Sequence, residues 1–148
     1  MIIPPIKKAA LVAGFITTLF SHQIMAEQSE PLVLQKIMFD MGEEMQNITA
    51  GISSEDWQRV AEAAIKIADH PKPPVSERMR IMSLLGTEMA AFKEGDMETH
   101  QSARKLAEIA KQENGQAVIS AFSVLQNNCL SCHENYREKF QAHFYGTP

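Results

Sequence analysis

The sequence predicts an all-α protein, an antiparallel four-helix bundle forming a single domain over residues 27–148. Three observations carry that expectation. Apolar residues recur every three or four positions through four long stretches, as one face of a helix requires. Strand-like alternation of apolar and polar residues is absent, and Gly and Pro are confined to a few breaks. Amphipathic helices of such lengths, joined by short breaks, bury their stripes against one another. About 120 residues suffice for one core, and there are no internal repeats or low-complexity tracts.

The first helix is expected from about Pro31 to Ala50. Leu34, Ile37, Met38, Met41, Met45 and Ile48 make one continuous stripe, and Gly51 supplies a stop. The second is expected to begin at Ser53 or Ser54, where Ser53-x-x-Asp56 resembles a capping box, with Trp57, Val60, Ala61, Ala64 and Ala68 on its inner face. It ends at His70, because Pro71, Pro73 and Pro74 cannot continue a helix. Ser76 then caps a further stretch interrupted near Gly86. A third main helix carries Leu85, Met89, Phe92, Ala103, Leu106, Ala107 and Ala110, with a bend at Gly95-Asp96. Asn114-Gly115 signals a turn. The fourth helix follows from about Gln116 to His143, with Val118, Phe122, Leu125, Cys129, Cys132, His133, Tyr136 and Phe140 facing inward.

Residues 1–26 read as an export signal rather than as fold. Lys7 and Lys8 supply a positive start, Ala9 to Phe20 an uncharged apolar run too short to span a bilayer comfortably, and Ala26 a small residue before the cut. Removing this segment takes two Lys and no acid from 14 basic and 18 acidic side chains, leaving a formal charge of −6. A chain with no basic run is a poor match for nucleic acid or an anionic membrane. No stable membrane insertion is expected after signal cleavage. His100 and His143 read as surface residues, and His70 as a cation favoured at a helix end.

The fourth helix carries Cys129-Leu130-Ser131-Cys132-His133. C-x-x-C-H is the attachment sequence of a c-type haem. Thiols at i and i+3 share a helix face and can add to the two vinyl groups on one side of a porphyrin, and the His at i+4 can reach the iron. A thioredoxin-type site needs a βαβ setting that is missing here, and a closed zinc site needs four ligands. A disulfide between such close residues would constrain the unfolded chain little. Both Cys are consumed by the motif, so stability rests on packing and the cofactor. Covalent haem attachment in bacteria takes place outside the cytoplasmic membrane, so the motif and the export signal support each other.

With this motif on the last helix, followed by Glu134-Asn135-Tyr136-Arg137, the chain resembles the class II c-type cytochromes, the cytochrome c′ group. The resemblance covers essentially the whole mature chain. The segment Met38-Phe39-Asp40-Met41-Gly42-Glu43-Glu44-Met45 is similar to the family segment over the distal face of the haem. The stripe alone does not choose among Met38, Met41 and Met45. The resemblance assigns Met38, because in this group the first residue of that segment decides the chemistry. Leu, Phe or Tyr there implies a five-coordinate iron open to nitric oxide or carbon monoxide; Met implies a six-coordinate, low-spin iron suited to electron transfer. The chain departs from the family in having Leu34 where many members carry a basic residue, with Lys36 the nearest alternative.

The resemblance therefore implies one haem c, held covalently by Cys129 and Cys132 in the bundle core, with His133 as proximal and Met38 as distal iron ligand. Arg137 is a candidate for a haem propionate or for the edge of the proximal imidazole. The implied job is periplasmic single-electron transfer between redox partner proteins, without enzymatic turnover. The alternative is a five-coordinate protein that binds nitric oxide or carbon monoxide. Family members are often homodimers through their first two helices. A peroxidase needs distal acid–base residues, which this first helix does not offer.

Overall fold

The protein is described by a computed structural model over residues 31–146, so the expected export signal lies outside the described residues. Five helices follow in order: α1 Val33–Ser54, α2 Trp57–Ala68, α3 Val75–Leu85, α4 Met89–Ala110 and α5 Gly115–Phe144, with a 3-10 turn at Gly86–Glu88 between α3 and α4. There is no strand among the described residues. The long helices α1, α2, α4 and α5 pack in sequence as an antiparallel four-helix bundle. The bundle closes where the Leu32 N–H donates to the Tyr145 hydroxyl at 3.1 Å, tying the start of α1 to the end of α5.

Side-chain size explains the packing. The faces of α2 and α4 bury Ala61, Ala63, Ala64 and Ala68, and Ala103, Ala107 and Ala110. Small residues let two helices approach closely, and Ile48, Val60, Ile67, Leu106, Val118 and Leu125 fill the surrounding space. A second apolar cluster lies at the end of the bundle where α1 starts and α5 stops. There α3 contributes Ile81 and Leu85 against Leu32, Phe140 and Phe144.

Three element boundaries differ from the sequence reading. Gly51 does not stop α1. It sits inside the helix, where a Cβ would come within 2.8 Å of Val60 Cγ2 and 3.1 Å of the Asp56 carbonyl oxygen. Its missing side chain is what lets α2 approach. The stop comes four residues later, where Glu55 takes the left-handed conformation (φ 54°), Asp56 N–H donates to the Gly51 carbonyl and Glu55 N–H to that of Ile52. Ser53 and Ser54 belong to the last turn of α1 and bond back to the Thr49 and Ala50 carbonyls. Asp56 alone caps α2, accepting from Arg59 N–H. Likewise Pro74, not Ser76, precedes α3. The helix α4 runs unbroken through Gly95-Asp96.

Glu77 was not singled out by the sequence. It lies on α3, is 6% exposed, and accepts from Val33 N–H (2.6 Å) and Leu34 N–H (2.8 Å). It thereby satisfies the orphan donors at the start of α1, where Leu32 offers no side-chain cap.

These contacts set the cost of substitution at three positions. Gly51→Ala should destabilise the holoprotein by about 1–3 kcal/mol in denaturant titration, because the new methyl meets backbone that cannot yield. Gly42→Ala, with nothing within 4 Å of its Cβ, should instead stabilise by about 0.5–1 kcal/mol. Glu77→Ala should cost about 1–3 kcal/mol by the same titration, since it leaves two part-buried N–H donors without their carboxylate, and Glu77→Gln should cost less.

Candidate haem-binding site

The C-x-x-C-H motif falls at the level between the two apolar clusters. On α5, Cys129 packs against the larger cluster and Tyr136 against the smaller, with Cys132 and His133 between them. On α1, Met41 belongs to the first and Leu34 to the second, while Ile37 and Met38 fall between. Ile37 is 2% exposed; Met38 is 37% exposed and joins neither cluster.

Helix geometry then fixes which way each residue faces. Asn128 reaches α4 by donating to Ser102 Oγ at 3.1 Å, and Lys139 pairs with Glu88 just before α4. At 100° per residue, Cys132 lies near this α4-facing side, whereas His133 lies about 130° round the helix from it. The expectation that His133 points straight into the core needs correction on this count. Its side chain is exposed, on the flank of α5 away from α4. On α1, Gly51 marks the side that meets α2, and Met38 lies about 140° away from it. His133 and Met38 therefore occupy the flanks of α5 and α1 that border their shared seam. These two neighbouring helices touch each other least in the bundle.

The donors suit the group that the motif implies. Both thiols are free and half-buried. Burial pushes both above their ordinary value, and the charges of Asp96 and Cys129 push Cys132 further. His133 is held below its ordinary value, first by the partial burial of its ring and then by the neighbouring Arg137 cation, which favours the neutral form that metal ligation requires. Arg137 thus stands beside the His133 imidazole, exposed on the same flank. Lys36 is occupied by Asp40 on its own helix at 2.6 Å. Met45 packs with Met41 against the larger core.

A cluster that the sequence reading missed lies on the α2–α4 side of the bundle. His70 does not cap α2; its ring stacks on that of His100, centroids 4.5 Å apart and planes 16° from parallel. His100 is therefore not a solvated surface residue. It is half-buried, and its Nδ1 meets the Ala68 carbonyl at the end of α2. Asp96 spans the Nε2 edges of the stacked pair, Oδ1 at 3.5 Å from His70 Nε2 and Oδ2 at 3.4 Å from His100 Nε2. The pairing of Asp96 and His100 at i and i+4 was available in the sequence; the contribution of His70, 26 residues earlier, was not.

Asp96 holds His70 above its ordinary value of 6.5, and His70 holds Asp96 below its ordinary 3.8. Stability from the His70 proton is complete below 6.5 and fades as pH rises through the raised folded value. That from Asp96 is present above 3.8 and fades as pH falls through the lowered one. Both contributions overlap between about pH 4 and pH 6.5. Asp96→Asn should therefore destabilise the protein most near pH 5–6 and least near pH 9, in denaturant titrations run with a chelator.

Comparison with known proteins returns a family model described as Cytochrome C′, matched by residues 33–137. No curated protein and no solved structure matches the chain.

Proposed function

The chain belongs to the cytochrome c′ family of c-type haem proteins, and from that premise we propose that it carries single electrons with His133 and Met38 as the two axial ligands of one haem c. Cys129 and Cys132 supply the thioether tethers. Haem c, when bound, supplies a one-electron Fe(III)/Fe(II) couple. Members of this family are typically periplasmic and generally not enzymes. None of the described helices is long and apolar enough to cross a membrane.

The observation that carries the reading is the position of His133 and Met38. Both lie at the level between the two apolar clusters, on the flanks of α5 and α1 that border one seam. A soft thioether favours the ferrous state, and a closed sixth position needs little rearrangement between redox states. The chain's part is to hold both donors on long, continuous helices, so that the reorganisation accompanying electron transfer stays small. Arg137 beside His133 favours its neutral form and is within the same flank as a candidate propionate partner. The acidic chain favours a partner with a basic patch, through a small, salt-sensitive contact. A second copy of the chain is a candidate partner through α1 and α2, as in other members of the group.

One observation favours a second reading, the binding of nitric oxide or carbon monoxide at an open sixth site. The Met38 side chain is 37% exposed and packs in neither cluster, so no neighbouring core locks its rotamer.

The visible spectrum of the reduced holoprotein separates the two. A low-spin spectrum unchanged by carbon monoxide, turning high-spin and carbon-monoxide-sensitive in Met38→Ala, is the outcome expected for electron transfer. A high-spin spectrum in the unaltered protein that shifts on adding carbon monoxide would establish the gas-binding reading instead. A low-spin spectrum indifferent to Met38→Ala would remove Met38 from the iron.

A further inference from the structure

The His70–Asp96–His100 cluster lies outside the residues assigned to haem c above, yet its geometry is specific. Each ring turns Nδ1 to a backbone carbonyl, His70 to Pro71 at 3.0 Å and His100 to Ala68. A carbonyl only accepts, so each Nδ1 carries a proton. In the neutral imidazole the lone pair then sits on Nε2, and both Nε2 atoms face the Asp96 carboxylate. Lone pairs directed at a carboxylate repel unless a cation stands between them.

The rest of the surroundings favour a cation as well. The His70 side chain is only 8% exposed, and its buried Nε2 makes no hydrogen bond among the described residues. The negative end of the α2 dipole points at the cluster. The nearby Arg104 guanidinium is engaged by Asp69 at 2.7 Å. A surface groove runs to His70, lined by Asp40, Glu43 and Glu44 and by Lys36 and Lys66, which pair with Asp40 and Glu44.

We propose that His70 Nε2, His100 Nε2 and an Asp96 carboxylate oxygen bind one divalent transition-metal ion of the borderline class, such as Zn2+ or Cu2+. The dimensions fit. Metal–nitrogen and metal–oxygen bonds of about 2.1 Å in a tetrahedral site put neighbouring donor atoms about 3.4 Å apart; Asp96 Oδ1 stands 3.5 Å from His70 Nε2 and its Oδ2 3.4 Å from His100 Nε2, so each carboxylate oxygen is at ligand spacing from one imidazole. One donor atom from each residue lies within 4.8 Å of the other two. Two imidazoles and one carboxylate suit zinc and copper, and each imidazole is already oriented by a hydrogen bond from its far nitrogen, as metal-bound histidines usually are. Water completes the coordination. This assignment stands independently of whether the haem protein transfers electrons or binds gas.

The test uses chelator-treated holoprotein at pH 7.5. Calorimetric titration with Zn2+ should show one saturable equivalent, at least 100-fold weaker in Asp96→Asn and in His100→Gln and unchanged in His143→Gln. Electron paramagnetic resonance of the unaltered holoprotein with one equivalent of Cu2+ should show coupling to two nitrogens. This readout serves even where a variant fails to fold. Absence of saturable Zn2+ binding overturns the proposal and leaves the proton as the cation at the site. Copper coupled to fewer than two nitrogens, or binding that survives Asp96→Asn and His100→Gln, overturns it as well.

Discussion

The arrangement depends on how closely α2 can be approached. Its alanine face lies in a common core with that of α4, and Gly51 removes the one side chain that would hold α1 off Val60. With α1–α2, α2–α4 and α4–α5 all tightly packed, the remaining seam between α1 and α5 is the loose one. A bundle of four helices with one loose seam has one natural place to admit a flat, rigid, largely apolar group. Small residues on one side of the molecule and a cofactor motif on the other are thus two parts of one packing solution.

The two ends of that seam are held separately. At one end, Glu77 and Tyr145 fix the start of α1 by three hydrogen bonds to its backbone, and the Phe92, Phe140 and Phe144 rings pack beside it. At the other, Ile48, Val118 and Leu125 are fully buried in the larger core. The separation of α1 and α5 between these points is set by contacts that do not involve the motif. Met38 and His133 inherit their relative placement from the ends. This is why residues far from any donor atom, Gly51 and Glu77 above all, belong to the account of the site.

Much of this was legible in the sequence where periodicity is long. The stripes of α1 and α5 were read almost residue for residue, and the C-x-x-C-H motif needs only one helical turn to be recognised. The errors share a cause. Gly51 was read as a stop because glycine ends helices on local grounds, whereas here it serves a tertiary approach that no local pattern encodes. Ser53, Ser54 and Ser76 looked like caps for the same local reason, yet Asp56 and Pro74 occupy those positions. Glu77 and His70 could not be placed, since an acidic residue in a polar stretch and a histidine before proline gain meaning only from partners 43 and 30 residues away. His133 was expected inward because it shares a stripe with Cys129; the stripe is wide enough for one edge to face the neighbouring seam.

The cluster on α4 and the motif on α5 are also linked through charge. Burial and the Asp96 charge both raise the Cys132 thiol, and the same carboxylate faces the two histidines. A bare carboxylate at that position would favour the more positive, ferric state of an iron held beside Cys132. A carboxylate compensated by a cation gives up that bias.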